Sequence, residues 1–229
     1  MRKNVKQQLA LRVLSTAALM AMVSSIATAA FADTYDLNKG SVTVETKEDG
    51  FTYVTQLDNT QTDGYARNDK DDVLHDYQDT TGVTITSGGE KTSNTITVDT
   101  AKDQTTDVTL DNVHIEVNTT RAKSGAIEIK GDGDTNLELN GDNTVLVENE
   151  WREEHAAIEK ADKYGTGTLT IKDDVNDNGT EKSGTEADTT GKLLAGGYHN
   201  SAAIGGGSDS YNREYSLADT SNITITGGD

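Results

Sequence analysis

Thr95-Ile96-Thr97-Val98, Ala126-Ile127-Glu128-Ile129 and Ala157-Ile158-Glu159 are three versions of one short run, with isoleucines 31 and 31 residues apart. A second apolar column is read as Ile85, Ile115 and Leu146, with steps of 30 and 31, and a third as Leu110, Leu139 and Ile171, with steps of 29 and 32. Each run alternates apolar with polar residues, the mark of a strand with one face buried. A fixed period between 20 and 50 residues marks a repeating architecture. Three strand-like runs per period predict three faces stacked turn upon turn. The expected fold is all-β: a right-handed parallel β-helix, a three-faced solenoid over residues 83–229. A β-sandwich also has short strands and turns, but it has no reason to keep three columns in step.

Corners are written in the residue types that accept left-handed backbone. Asp111-Asn112, Gly131-Asp132-Gly133-Asp134, Asn140-Gly141-Asp142-Asn143 and Gly165-Thr166-Gly167 fall between the strand-like runs. A fourth, interrupted turn is read from Lys192-Leu193-Leu194-Ala195, Ala202-Ala203-Ile204-Gly205 and Asn222-Ile223-Thr224-Ile225, with polar insertions near 173–190 and 207–220. The run closes on Gly227-Gly228-Asp229, in the style of a corner, so an incomplete, C-terminally truncated set of turns is expected. Upstream, Gly40 to Val44 and Phe51 to Val54 flank Asp49-Gly50 and predict a hairpin that caps the N-terminal end. Residues 58–82, with Asp63, Asp69, Asp71, Asp72, Asp76 and Asp79, are expected to be an acidic surface loop tacked down by Val73 and Leu74. Residues 33–82 thus make the cap region.

Residues 1–32 read as a signal peptide. Arg2, Lys3, Lys6 and Arg12 precede an apolar, small-residue run that ends in Ala30-Phe31-Ala32. Its many Ala, Ser and Thr favour cleavage over a retained anchor, and no later apolar run is long enough to span a bilayer. Removing these 32 residues, which carry four basic groups and no acid, leaves 197 of 229 residues and takes the net charge from −19 to −23. So acidic a surface repels nucleic acid and anionic lipid. A secreted or cell-surface location is expected, with no membrane insertion after cleavage. With no cysteine, disulfides and thiolate chemistry are excluded, and the absence of proline suits a chain of ladders. Hydrophobic residues are only 33%, thin for a globular core but enough for a narrow one.

Three places carry candidate chemistry. Glu128 and Glu159 take matching outward positions on successive turns, about 4.8 Å apart by ladder spacing. Two carboxylates so placed repel unless a cation or proton intervenes. A calcium site, a glycosidase pair, or two solvated glutamates with Lys130 beside them are the readings. Asp174, Asn176 and Asn178 occupy positions one, three and five of a calcium-loop front half that ends in Gly179. Position twelve is Thr185, and Glu186 comes one residue late, so this is no EF-hand; a free-standing calcium turn or a plain polar insertion remains. Trp151 and Arg152, flanked by Glu150, Glu153, Glu154 and His155, form a polar-aromatic loop suited to stacking on a sugar. Tyr198 and His199, near Tyr211 and Tyr215, form a second such group. His75, His114, His155 and His199 lack metal-ligand spacing, and Gly205-Gly206-Gly207 lacks the Lys-Ser/Thr of a phosphate loop.

Taken in order, Thr109 to Ile115, Ser124 to Gly131, Leu137 to Val145, Ala156 to Lys160, Gly167 to Ile171, Ala202 to Gly207 and Asn222 to Gly228 resemble a family of secreted clostridial proteins with carbohydrate-binding domains. The resemblance covers about residues 83–229 and departs at Glu150 to His155 and in the 173–190 insertion. It implies a parallel β-helix and, in one branch that looks like polygalacturonate binders, acidic polysaccharide as partner with bound calcium as cofactor. The function expected is non-catalytic carbohydrate binding or adhesion. A lyase or hydrolase on this fold, and a purely structural stalk, are the alternatives.

Overall fold

A computed structural model describes residues 33–57, 73–79, 82–118, 125–148, 153–173, 191–197, 202–209, 216–217 and 219–226. The region Ala32–Asp229 forms one compact unit. The described residues are all-β apart from one short 3-10 turn, Asp162–Tyr164. Within them no helix is long and apolar enough to cross a membrane.

The first sheet holds six strands in the order β1 (Asp33–Asp36), β5 (Val83–Thr86), β8 (Thr105–Asp111), β11 (Asp134–Asn140), β15 (Leu169–Asp173) and β20 (Ile223–Ile225), all neighbours parallel. The second runs β17 (Ile204–Gly205), β14 (Ile158–Glu159), β10 (Ile127–Lys130), β7 (Ile96–Thr100) and β2 (Val42–Thr46), also parallel. It is then extended by β3 (Thr52–Leu57) and β4 (Val73–Asp79), which pair antiparallel. The third contains β16 (Lys192–Gly197), β12 (Asp142–Glu148), β9 (His114–Asn118) and β6 (Lys91–Thr92), parallel throughout. A small antiparallel fourth sheet joins β13 (Glu153–Glu154), β18 (Ser208–Asp209) and β19 (Ser216–Leu217). From β5 onward the chain passes first sheet, third sheet, second sheet, and repeats that circuit, setting the fourth-sheet strands aside.

Alternation decides which side chains meet. Ile96, Val98 and Thr100 are buried while Thr97 and Asp99 between them are only partly so. One continuous core results, running from Tyr35 and Leu37 to Leu169 and Ile171. Burying each Ile or Leu side chain stabilises by roughly 1.5–3 kcal/mol, and the β-branched majority fits a pleated surface.

The Ile96, Ile127, Ile158 column is in register as expected, and Ile204 continues it. The other two columns differ. Ile85 sits in the first sheet beside Leu110, not with Ile115, and the third-sheet place in that circuit belongs to β6. Ile115 pairs with Val145, so Leu146 pairs with Glu116 and faces outward, half-exposed. Leu139 pairs with Leu110 but lies opposite Asp173, and Ile171 pairs with Leu137. The physical reason is the period of two: a shift of two residues leaves every side chain on its own face, and Thr144-Val145-Leu146-Val147 is apolar at three successive positions.

The N-terminal region also differs from a simple cap. β1 and β2 are parallel members of the stacks; β3 reverses direction along β2, and β4 reverses again along β3. Residues 73–79, read as loop, form β4; residues 58–72 lie outside the described residues. The turn between β2 and β3 places Gly50 at φ 80°, with Asp49 accepting from the Phe51 N–H at 3.0 Å. Gln56, fully buried on β3, donates from Nε2 to the carbonyls of Asp36 (2.7 Å) and Gly40 (3.1 Å). It satisfies acceptors that the reversal would otherwise strand.

Two devices lock successive circuits together. Buried hydroxyls form a chain in which Thr106 donates to Thr46 (2.6 Å), with Thr100 2.7 Å from Thr106 and 3.1 Å from Thr135. Each hydroxyl has one hydrogen, so that donation makes Thr100 the donor to Thr106 and Thr135 the donor to Thr100. At the corners, Asp132 accepts from the N–H and hydroxyl of Thr166, and Asp162 from those of Ser221, one circuit on. Gly131 has φ 87°, and a Cβ there would stand 2.0 Å from the Thr100 carbonyl oxygen, so only glycine fits this corner.

Candidate functional site

Glu128 and Glu159 are adjacent in register on β10 and β14, in the column Thr43, Thr97, Glu128, Glu159. The alternation that buries Ile127 and Ile158 points both glutamates away from the core, as expected. They are nevertheless closed off from solvent, at 6% and 0% exposure, so they are not a solvated pair. Gly125 packs so tightly here that a Cβ on it would lie 2.8 Å from the Glu159 Cβ.

Each carboxylate has a positive or donor partner of its own. Glu128 Oε2 is 2.8 Å from Lys130 Nζ, two residues along the same strand and the same face. Glu159 Oε2 is 2.7 Å from His155 Nδ1. The other oxygen, Oε1, is buried and has no hydrogen-bond partner among the described residues. The next side chain, Lys160, occupies the opposite face at 2% exposure. Its Nζ lies 3.6 Å from Asp162 Oδ1, an ion pair beyond hydrogen-bond contact. In the sequence His155 reads as a flank of the Trp151 loop and Lys160 as the end of the Ala156 to Lys160 motif, neither as a partner for a carboxylate. A four-residue spacing brings side chains together on a helix, not in a strand entry, so His155 and Glu159 gave no local signal.

Calcium takes six to eight oxygen ligands. The unpaired Glu159 oxygen would suit a cation, but Lys130 and His155 already hold Oε2 of each carboxylate, and among the described residues no three His, Asp or Glu side chains converge. Glu128 and Glu159 alone do not make a calcium cage. Asp174, Asn176 and Asn178 lie outside the described residues, as do the sugar-contact candidates Trp151, Arg152, Tyr198 and His199. Arg152 immediately precedes β13 and Tyr198 immediately follows β16, so both groups join described strands of the same late circuits.

The outward face of the first sheet is a second kind of surface. Its columns are Thr84, Thr109, Glu138, Lys172; Asp107, Asn136, Thr170, Thr224; and Thr86, Asp111, Asn140. These side chains are polar, partly or fully exposed, and linked from strand to strand. Asn136 Nδ2 donates to Asp107 Oδ1 at 2.8 Å, and Asn140 Nδ2 to Asp111 Oδ1 at 3.2 Å. At the adjoining corner, the N–H and hydroxyl of Thr166 hold the Asp132 carboxyl below its ordinary range. On the third sheet, the Lys91 ammonium, and then His114 at 2.9 Å, lower the Glu116 carboxyl. In return Glu116 raises Lys91.

No family model, curated protein or solved structure matches this chain. The chemistry must therefore be argued from these faces alone.

Proposed function

We propose that the chain is a secreted or surface-displayed right-handed parallel β-helix that binds an acidic polysaccharide without cleaving it, in the manner of the clostridial binders it resembles. The observation that carries this reading is the outward face of the first sheet. Six parallel strands hold hydroxyl, amide and carboxylate groups in columns, and the strand spacing of about 4.8 Å repeats them at a fixed interval. Ladder bonding and the Asp–Asn links order these groups before any ligand arrives, which lowers the entropic cost of binding. A repeating rigid face suits a repeating extended polymer.

Binding is favoured over hydrolysis because the paired carboxylates, Glu128 and Glu159, are buried and individually partnered. A glycosidase needs its two carboxyls flanking an accessible bond. Calcium belongs to the proposal through Asp174, Asn176 and Asn178, where it would bridge protein and polymer carboxylates.

The test is a thermal melt of residues 33–229 with a panel of plant and microbial polysaccharides, each with and without millimolar calcium. A ligand of the native state raises the midpoint. We expect one polysaccharide to raise it and the double variant Asp107→Ala/Asn136→Ala to abolish the rise. No shift with any glycan sinks the binding reading. A calcium effect that survives Asp174→Ala removes the loop from it.

A further inference from the structure

The outward face of the first sheet is short of positive charge. Its described positions carry Asp36 on β1, Asp107 and Asp111 on β8, and Asp134 and Glu138 on β11, against one cation, Lys172 on β15. Asn136 and Asn140 hold Asp107 and Asp111 in place by hydrogen bonds, but an amide brings no charge to offset theirs. Lys172 also differs from other lysines of the chain. Lys47, Lys91, Lys130, Lys160 and Lys192 each lie beside a carboxylate. Among the described residues no ion pair or hydrogen bond engages the Lys172 ammonium, although Glu138 is its register partner on the neighbouring strand.

Charge is uneven across the strands. Asp107 and Asp111 flank Thr109 on β8, two strands from Lys172 and roughly 10 Å away by strand spacing. Salt screens beyond about 8 Å at physiological ionic strength. A carboxylate lying over β8 or β11 therefore meets Asp107, Asp111 or Glu138 at close range, while one at Lys172 is spared the two aspartates of β8. On the side away from Glu138, the same face carries Thr170 and, beside it, Thr224, both uncharged hydroxyls.

We propose that Lys172 is the residue of this face that recognises a sugar carboxylate, and that the polysaccharide it takes carries isolated carboxyl groups among neutral sugars. The inference rests on the glycan reading above and narrows it. An ammonium has three donors and no acceptor, so it selects an anion or a lone pair. A chain with a carboxyl on every unit, laid across the columns, brings further negative charge over Glu138, Asp107 and Asp111. A sparsely charged chain places one carboxylate on Lys172 and presents hydroxyls to those acids, which accept hydrogen bonds from them.

Galacturonan offers one backbone at graded charge, with its carboxyls all free, mostly methyl-esterified or fully esterified. Calorimetric titration of residues 33–229 with the three forms, in chelator so that the ammonium is read without calcium, tests the inference. The mostly esterified form should bind tightest. Lys172→Gln should weaken it roughly tenfold, to the level of the fully esterified form, the scale of one charge-assisted hydrogen bond. Lys172→Arg should keep the preference, and both variants should melt as the native chain does. Asp107→Asn/Asp111→Asn, which removes the repulsion and keeps polar side chains there, should strengthen binding of the fully free form. Tightest binding of the fully free form by the native chain, or a preference indifferent to Lys172→Gln, overturns the inference and leaves the glycan reading standing. Binding of none of the three also overturns it, and the wider melt panel then tells whether the glycan reading falls as well.

Discussion

The two ends of the molecule solve the same problem differently. At the N-terminal end, Tyr35, Leu37, Val42, Val44 and Val54 are all within 1% of complete burial. At the other end, the corresponding apolar side chains are partly covered at Leu193, Ile204 and Ile223 and largely bare at Ile225. Both ends begin from parallel strands. What separates them is a change of direction: β3 runs back antiparallel along β2, β4 turns again along β3, and Gln56 reaches across to the Asp36 and Gly40 carbonyls. A parallel stack thus does not seal itself. It presents the same edge after every circuit until the next circuit or a strand of opposite sense pairs with it.

That contrast is broken most directly by a charge placed at each end. Val44→Asp buries a carboxylate without a partner and should cost more than about 4 kcal/mol, leaving little folded protein. Ile225→Asp, at the open end, should stay within about 0.5 kcal/mol, as exposed substitutions do. Urea unfolding of both variants measures the difference, and equal losses would erase the asymmetry.

Gln56→Met sharpens it. The methionine keeps the volume but leaves two buried carbonyls without their donor, so a loss of about 1–3 kcal/mol is expected. An unchanged unfolding midpoint would mean that the reversed strands seal the end without the glutamine.

The smallest effect belongs to neither end. Glu116 is held below its ordinary pKa by Lys91 and then His114. A carboxylate depressed in the folded state stabilises above its unfolded pKa, and that contribution is lost as pH falls through the folded value. The stability difference between the native chain and Glu116→Gln should therefore be present at neutral pH and vanish on acidification through the carboxylate range. Lys91 is 62% exposed, so solvent screening keeps the difference under about 1 kcal/mol. A difference that grows on acidification would reverse the assigned sign.

Some of the candidate site was legible and some was not. The register of Glu128 with Glu159 followed from the isoleucines beside them, which recur at one spacing and admit one alignment. Their burial did not follow. Side chains pointing away from the core are closed in only by what packs over the outside, as Gly125 and His155 do at Glu159. The hold of His155 on Glu159 is likewise a product of how the chain enters β14, which residue types alone do not encode.

By itself, the sequence determined that the chain is built of strands, that they recur at a fixed period, and which side of each strand faces inward along the Ile96, Ile127, Ile158 column. Alternation and corner chemistry are local, so they can be read locally. Tertiary structure alone decided the alignment of the first and third sheets and the closing of the N-terminal end. A slip of two residues changes no side chain's face, and the strand that reverses along β2 is recognised by the edge it covers.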